Sequence, residues 1–409
     1  MAKIRTRIAP SPTGNLHVGT ARAALYNELF ARQQGGQFIV RIEDTDKERS
    51  KPAFEANMLE GLKWLGLTWD EGPDVGGEYG PYRQSERGEH YVAAIKQLLS
   101  EDKAYEDPTS PRLRGASDSG PAIKLRVSQD IVTFDDLIRG KVSTPTDSWG
   151  GDFVIARSEI DPVFHLAVVV DDAAMEISHV VRGEDHVSNT ARHILLQQAL
   201  GLPTPQYAHL PLLLDEQRKK LSKRAGDVEL LQYRDSGYLP EAMLNYLALL
   251  GWNPGNDEEL FSHEALVKAF SLEKVQKGGA IFSEEKLTSL NKQYLRQLSP
   301  LELYERAKPF LDAAGYQTPP NLPLSGEESD KNLPLTRGSE RGFWTAALQT
   351  EQERVGTLAD FAEALAFYKP DWTGDYDPAM LIWRKSDAAT TKELLQKTHD
   401  FLNELPESD

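Results

Sequence analysis

The stretch KIRTRIAPSPTGNLHVGTARAALYNELFARQQGGQFIVRIEDTD, residues 3–46, decides the fold. Residues 3–9 alternate apolar and polar side chains, and the Pro- and Gly-containing segment 10–14 breaks this pattern, which predicts a strand entering a loop. Apolar residues recur at helical spacing over 17–34, and a second apolar strand follows at 38–42. A strand, a helix and a strand in this order predict a βαβ unit, and hence a doubly wound, mostly parallel α/β sheet.

Downstream of this unit the pattern predicts further strands and helices. Two helices are expected at 54–65 and 87–99, and a strand at 122–127. The β-branched run Val168–Val170 predicts a strand buried on both faces, with the pair Asp171 and Asp172 at its end and Ile177–Val181 as its partner.

The rest of the chain is predicted to be mainly helical. A helix is expected from Asn189 to Leu200, and another begins at Pro240 and stops at Gly251. Residues 317–342 are rich in Pro, Ser, Gly and Glu, which predicts a linker or a long loop. Helical periodicity returns over 343–409.

The amino-acid composition excludes several classes of protein. The chain has 409 residues, a formal net charge of −17, 40% hydrophobic and 27% charged residues, and no cysteine. These values are typical of a globular protein with several domains, and the missing cysteine excludes disulfides, thiolate zinc sites and cysteine nucleophiles. We find no apolar run near the ~18–20 residues of a membrane span and no secretory signal, so we expect a cytoplasmic protein without membrane contact. The acidic balance disfavours a protein that coats DNA non-specifically.

Two separated motifs form the strongest chemical signal. The first, HVGT at 17–20, lies where a strand turns into a helix, and the second, RKKLSKR at 218–224, is strongly basic. A helix N-terminus offers free N–H groups to phosphate, and lysines supply cations for charge that develops on transferring phosphates. Each motif alone is more often a plain helix start or a solvated charged face, but the order and the βαβ context favour nucleotide chemistry. No G-x-x-x-x-G-K-[ST] sequence is present, so this is not a P-loop.

At these motifs the chain resembles bacterial-type glutamyl-tRNA synthetases, which are class I aminoacyl-tRNA synthetases. The resemblance runs from Lys3 to about Arg296 and more loosely beyond. The strings that match, in order, are HVGT (17–20), RIEDTD (41–46), GPYRQS (80–85), VVDD (169–172), RGEDH (182–186), KLSKR (220–224) and LLGW (249–252).

The resemblance implies that glutamate is activated with ATP and Mg²⁺ as glutamyl-adenylate and is then transferred to the 3′ end of tRNA(Glu). Catalytic roles are implied for His17, Thr20, Lys220 and Lys223. The ATP-binding residues implied are Ala9, Pro10, His17, Gly19, Thr20, Leu221, Ser222, Lys223 and Arg224. In this family Mg²⁺ travels with ATP and does not need a protein cage.

Glutamate selection is implied for a second group of residues. Resemblance places Arg7, Ser11, Glu43, Phe164 and Arg182 around the amino acid. Glu43 suits the substrate ammonium, whereas Arg7 and Arg182 suit its side-chain carboxylate through forked, charge-assisted bonds. Such bonds allow glutamine to be rejected without editing.

Departures from the family pattern bear on the site and on zinc. Phe164 stands where the family usually has a tyrosine, which costs one neutral hydrogen bond of about 0.5–1.5 kcal/mol. Many members bind zinc in the insertion through cysteines, so no protein-bound zinc is expected here. His179, His186 and His193 are evenly spaced but lack acidic partners at ligand spacing, and we expect structural or tRNA-facing roles for them.

The domains expected are a first catalytic half (1–79), an α+β acceptor-binding insertion (80–163), a second catalytic half (164–236), a stem-contact domain (237–312) and a partial helical anticodon-binding subdomain (313–409). The family normally has two such subdomains, so weakened anticodon reading is expected. The tRNA contacts expected are Arg112, Arg114, Lys124, Lys274, Lys277 and Arg296, with Lys286 and Lys292 as further candidates. A monomer is expected.

Three alternatives stand beside this interpretation. A related enzyme that glutamylates a queuosine base lacks the C-terminal helical region, which this chain retains in part. A glutaminyl enzyme is disfavoured by Arg182, which offers a charged partner for glutamate. A non-catalytic nucleotide- or RNA-binding relative has no need of His17, Lys220 and Lys223.

Overall fold

The computed structural model describes residues 3–109, 121–221, 229–316, 340–366 and 387–404. The elements of the first half are, in order, β1 (Arg5–Ile8), α1 (Val18–Gln33), β2 (Gln37–Val40), α2 (Pro52–Trp64), α3 (Gly88–Ser100), β3 (Ala104–Asp107), β4 (Ala122–Leu125), β5 (Ile131–Asp136), β6 (Gly140–Pro145), β7 (Phe153–Ser158) and β8 (Asp161–Pro162).

The second half contains most of the helices. Its elements are, in order, α4 (Phe164–Ala174), β9 (His179–Gly183), α5 (Val187–Leu200), β10 (Gln206–Leu210), β11 (Leu213–Leu214), α6 (Leu230–Asp235), α7 (Pro240–Leu249), α8 (His263–Ala269), β12 (Ala280–Ile281), α9 (Glu284–Gln297), α10 (Pro300–Ala313), α11 (Glu340–Glu351), α12 (Phe361–Ala364) and α13 (Ala388–Glu404).

The predicted βαβ unit is confirmed. β1 and β2 pair in parallel from Arg5 opposite Gln37 to Ile8 opposite Val40, and α1 connects them. Most of α1 is buried, because it packs between this pair and the helices that follow. A helix that connects two parallel strands and packs on their sheet is the repeating unit of a doubly wound α/β fold.

The predicted strand at Val168–Val170 is wrong, because these residues belong to helix α4. Every residue of α4 from Leu166 to Asp172 is buried, and a helix that is apolar all round cannot be told from a buried strand by periodicity. β9 overlaps the strand expected at Ile177–Val181, but its partner is β10. The aspartates therefore sit inside a helix and not at the end of a strand.

Residues of the expected insertion divide between two sheets. β3, β4, β7 and β8 form an antiparallel sheet, as an α+β unit predicts. The hairpin of β5 and β6 instead extends the sheet of β9 and β10, with Asp136 opposite Tyr207 in a parallel pairing. This hairpin brings Asp136 next to β10.

The C-terminal part is helical where it is described, as predicted. α9, α10, α11 and α12 share a core with the start of α7, built around side chains such as Leu295, Leu303, Trp344 and Phe361. The linker expected at 317–342 lies mostly outside the described residues. In the described part of the chain, no helix has the length and apolarity that crossing a bilayer requires.

Candidate active site

A cavity of about 360 Å³ opens where β1 ends and α1 begins. Its walls come from the N-terminal βαβ unit, from α4 and β9, and from the segments around 210–213 and 220–221. The structure brings the following predicted site residues together in this cavity: Arg7, Ala9, Pro10, Ser11, His17, Gly19, Thr20, Glu43, Phe164, Arg182, Lys220 and Leu221. Residues far apart in sequence thus meet because both halves of the fold contribute to one cleft.

The remaining predicted residues lie elsewhere. Ser222, Lys223, Arg224, Arg112 and Arg114 fall outside the described residues. The described tRNA candidates do not line the cavity: Lys124, Lys274, Lys277 and Arg296.

At one end of the cavity, His17 caps helix α1. Its Nδ1 accepts a hydrogen bond from the Gly19 amide at 2.9 Å. A neutral imidazole that accepts at Nδ1 carries its hydrogen on Nε2, so Nε2 is the nitrogen that can donate to an anion. A Cβ on residue 19 would lie 3.2 Å from this ring, so the glycine keeps the helix entrance open.

Lys220 is held near the cavity by Asp185. Its Nζ lies 3.1 Å from Asp185 Oδ2, and both side chains are about half exposed, at 58% and 46%. An ion pair this exposed is worth at most about 1 kcal/mol, so Lys220 can leave it for another anion. Asp185 was not predicted as a site residue, although it lies within the RGEDH string.

At the other end, Arg182 has only neutral hydrogen-bond acceptors among the described residues. It donates to His209 Nε2 at 3.3 Å, to Thr190 Oγ1 at 2.7 Å and to the His186 carbonyl at 3.3 Å, and it faces His193 Nδ1 at 3.4 Å. The side chain lines the cavity, yet the residue is only 8% exposed. Burial is the main cause that lowers the pKa of Arg182 to about 10, and the nearby charges of Asp172 and Glu43 oppose this shift.

Arg7 differs from Arg182 because an aspartate already pairs with it. Its Nε and Nη2 lie 3.1 and 3.2 Å from the two carboxylate oxygens of Asp172. Glu43 contacts the buried Arg41 at 3.2 Å. Burial raises the pKa of Glu43, although Arg41 and Arg7 oppose the shift.

Comparisons with known proteins agree with this geometry. The sequence matches the family described as tRNA synthetases class I (E and Q), catalytic domain, over residues 3–118 and 113–289. Residues 302–409 match an anticodon binding domain. The chain belongs to this class I tRNA synthetase family.

The individual relatives that match within this family are glutamate–tRNA ligases. A glutamate–tRNA ligase of Carboxydothermus hydrogenoformans is 41% identical over 441 residues, covering 99% of this chain and 87% of the relative. One from Dehalococcoides mccartyi is 42% identical, covering all of this chain and 85% of the relative. The crystal structure of a glutamate tRNA ligase from Elizabethkingia meningosepticum in complex with its amino acid superposes with a TM-score of 0.81 at 32% identity, covering 98% of this chain and 87% of that one.

The synthetase cavity also depends on a buried ion network that sequence reasoning missed. Asp172 pairs with Arg41 at 2.7 Å as well as with Arg7, and Asp171 pairs with Arg87 at 2.6 Å. Tyr91 donates to Asp171 at 2.9 Å. The only signal for this network was the VVDD string, whose aspartates were assigned to a strand end.

A second feature of this synthetase that sequence reasoning missed is the group of histidine rings that surrounds Phe164. Its ring lies 5.4 Å from the His165 ring, 6.0 Å from that of His186 and 5.8 Å from that of His193. Two of the three evenly spaced histidines, His186 and His193, therefore lie beside Phe164, which lines the cavity. Within the described ranges, no group of three or more acidic or histidine side chains has a metal-binding arrangement.

Proposed function

We propose that this chain is a glutamate–tRNA ligase that uses L-glutamate, MgATP and tRNA(Glu). The observation that carries the proposal is Arg182, a buried guanidinium that lines the cavity and has only neutral acceptors among the described residues. A buried charge of this kind favours an anionic ligand, and the side-chain carboxylate of glutamate supplies one.

The remaining contacts to glutamate follow from charge. Glu43 receives the substrate ammonium, Ser11 offers a hydroxyl, and Phe164 forms an apolar wall. Arg7 contributes positive potential, but its direct bonds go to Asp172. Each charge-assisted bond that Arg182 makes to the glutamate carboxylate is worth about 1.5–3 kcal/mol. Glutamine as a competing substrate has no side-chain carboxylate with which to form this bond.

The nucleotide is proposed to lie at the start of α1. There the glutamate α-carboxylate attacks the α-phosphate, and pyrophosphate leaves. His17 and Thr20 stabilise phosphate oxygens, while Lys220 and Lys223 follow the charge that develops on the leaving group. Ala9, Pro10, Gly19, Leu221, Ser222 and Arg224 complete the proposed ATP site. Mg²⁺ enters with ATP as part of the substrate.

The acyl group is then transferred to the terminal ribose of tRNA(Glu). We propose that residues 80–163 receive the acceptor end, 237–312 the stem and 313–409 the anticodon arm, within a cytoplasmic monomer. The phosphate contacts proposed are Arg112, Arg114, Lys124, Lys274, Lys277 and Arg296. Local basic side chains suffice for this, because affinity for RNA depends on the charge near its phosphates and not on the net charge of −17.

The test is ATP–pyrophosphate exchange with glutamate and with glutamine, each with and without tRNA(Glu). We expect exchange with glutamate far above that with glutamine when tRNA is present. A chain that gives no exchange with any amino acid in the presence of tRNA is not a synthetase. Equal exchange with both amino acids would refute the role given to Arg182.

A further inference from the structure

Three histidine rings are hydrogen-bonded to Arg182 directly or through one other ring, and they come from two helices and one strand. His165 lies in α4, His193 in α5 and His209 in β10. His209 and His193 are fully buried, at 0% and 1% exposure, and burial lowers the pKa of all three below its ordinary value. Near neutral pH the rings are therefore uncharged.

The hydrogen bonds determine which nitrogen of each ring carries the hydrogen. A guanidinium only donates, so His209 Nε2 and His193 Nδ1 must accept where they face Arg182. His209 therefore carries its hydrogen on Nδ1, which lies 2.6 Å from Asp136 Oδ2. His193 carries its hydrogen on Nε2 and donates to His165 Nδ1 at 3.2 Å.

Asp136 is suited to hold His209 in this form. Its Oδ1 accepts from the amides of Ile138, Arg139 and His209 at 3.0, 2.8 and 3.3 Å, which leaves Oδ2 for the imidazole. The carboxylate is fully buried, and it is fixed by the turn that joins β5 to β6.

We propose that Asp136 and His209 are positioning residues for glutamate selection, because they hold Arg182 through a neutral acceptor and leave its charge for the substrate. A carboxylate in the place of His209 would orient the guanidinium equally well but would cancel its charge, as Asp172 does for Arg7. The proposal rests on the function proposed above, in which Arg182 binds the glutamate carboxylate.

The deciding variant is Asp136→Asn. Three backbone amides hold the side-chain oxygen of residue 136, so the new amide NH₂ would face the His209 ring. The ring would then accept at Nδ1 and carry its hydrogen on Nε2, which lies 3.3 Å from Arg182 Nε and 3.0 Å from Thr190 Oγ1, so it could no longer accept from Arg182. The control is Asp135→Asn, the same chemical change one residue earlier, on an exposed side chain of the same strand.

Two measurements test the proposal. In exchange assays with tRNA(Glu), D136N should raise KM for glutamate roughly tenfold or more, while kcat and KM for ATP stay within about twofold and D135N matches the wild type. The preference for glutamate over glutamine should shrink in D136N alone. A D136N enzyme with wild-type KM and preference would overturn the proposal.

Long-range ¹H–¹⁵N correlation spectra supply the second measurement, which needs only the wild-type chain. We expect His209 protonated on Nδ1 and His193 on Nε2, and a wild-type His209 protonated on Nε2 would overturn the proposal even where D136N does not fold. Failure of the proposed function looks different: the wild type would then activate no amino acid or fail to prefer glutamate, whatever the ring protonation.

Discussion

Two buried arginines of the cavity differ in what compensates their charge. Arg7 makes two bonds to Asp172, whereas the acceptors of Arg182 in the described structure are imidazole nitrogens, a hydroxyl and a carbonyl. Sequence reasoning treated the two as equivalent partners of the substrate carboxylate. Under the proposed function, we therefore expect Arg182 to contribute more to selectivity than Arg7, because no direct ion pair with a described residue neutralises its charge.

Replacing Arg182 by glutamine should raise KM for glutamate by roughly 10- to 100-fold, since the one N–H group of Arg182 that has no acceptor among the described residues can no longer make a charge-assisted bond of about 1.5–3 kcal/mol to the substrate. KM for glutamine should change much less, so the preference for glutamate should collapse. Exchange assays with tRNA(Glu) measure both. Arg157→Gln is the matched control, because Arg157 pairs with Asp161 on a part of β7 outside the cavity. An R182Q enzyme that still prefers glutamate would contradict the assignment.

The ammonium site should respond to pH through Glu43. Burial raises the pKa of Glu43, so on acidification this carboxylate takes up a proton before exposed glutamates do. A protonated Glu43 no longer compensates the substrate ammonium, and KM for glutamate should therefore rise on acidification at a higher pH than that at which exposed glutamates titrate. In Glu43→Gln the KM should be high already and should change little on acidification. A flat wild-type profile would count against the role of Glu43.

At the scale of elements, the βαβ unit could be predicted from the sequence, whereas helix α4 could not. The βαβ unit was predictable because its strands and helix each have a distinct period and clear breaks at 10–14 and 35–36. α4 was not, because its run of valines is buried on every side and carries no period. Asp171 pairs with Arg87 and Asp172 with Arg7, and both aspartates also lie within 4 Å of Arg41.

Asp172 should therefore matter for stability as well as for the site. Asp172→Asn leaves Arg7 and Arg41 buried with weaker compensation, and the expected loss is about 3–5 kcal/mol in the free energy of unfolding. Urea denaturation measures this loss. The control is Asp102→Asn, which removes a surface pair with Arg126 worth at most about 1 kcal/mol. Equal losses in the two variants would mean that the buried network contributes no more than a surface pair.

At the scale of the whole molecule, features carried by short stretches of sequence could be predicted, whereas contacts between residues far apart in sequence could not. Several cavity residues could be named from short strings, because HVGT, RIEDTD and RGEDH each lie at the end of one element. The imidazoles around Arg182 could not, because α4, α5 and β10 supply them and Asp136 comes from a hairpin expected to belong to the insertion. No local sequence pattern indicates a contact between residues as far apart in the sequence as 136 and 209.

A close backbone contact links the catalytic part to the C-terminal helices. The Gly237 carbonyl accepts from the Leu358 amide at 2.9 Å, and a Cβ on Gly237 would lie 2.4 Å from the Ala359 nitrogen. The residue has a φ of +83°, a conformation that favours glycine. This position coincides with the boundary expected at 236–237, so the join is packed and not a free linker.

The basic side chains proposed to contact tRNA differ in the partners that they already have in the protein. Among the described candidates, Lys124 lies 2.7 Å from Asp107, and Arg296 pairs with Glu353 at 2.8 Å. Lys274 and Lys277 instead donate to the carbonyls of Pro254 and Arg139. A lysine that donates to a neutral carbonyl keeps its full charge available for phosphate. The pair of Lys124 and Asp107 is less exposed than that of Lys220 and Asp185, so Asp107 compensates the charge of Lys124 more strongly.

Lys274→Ala and Lys277→Ala should therefore weaken tRNA(Glu) binding and should each reduce the slope of log Kd against log salt concentration by about one. Lys124→Ala is the matched control and should change the slope little, because Asp107 already compensates that charge. Equilibrium binding over a series of salt concentrations measures all three slopes. If Lys124→Ala lowers the slope while the other two leave it unchanged, the stem contact attributed to Lys274 and Lys277 is wrong, and the RNA phosphates lie against the sheet of β3 and β4 instead.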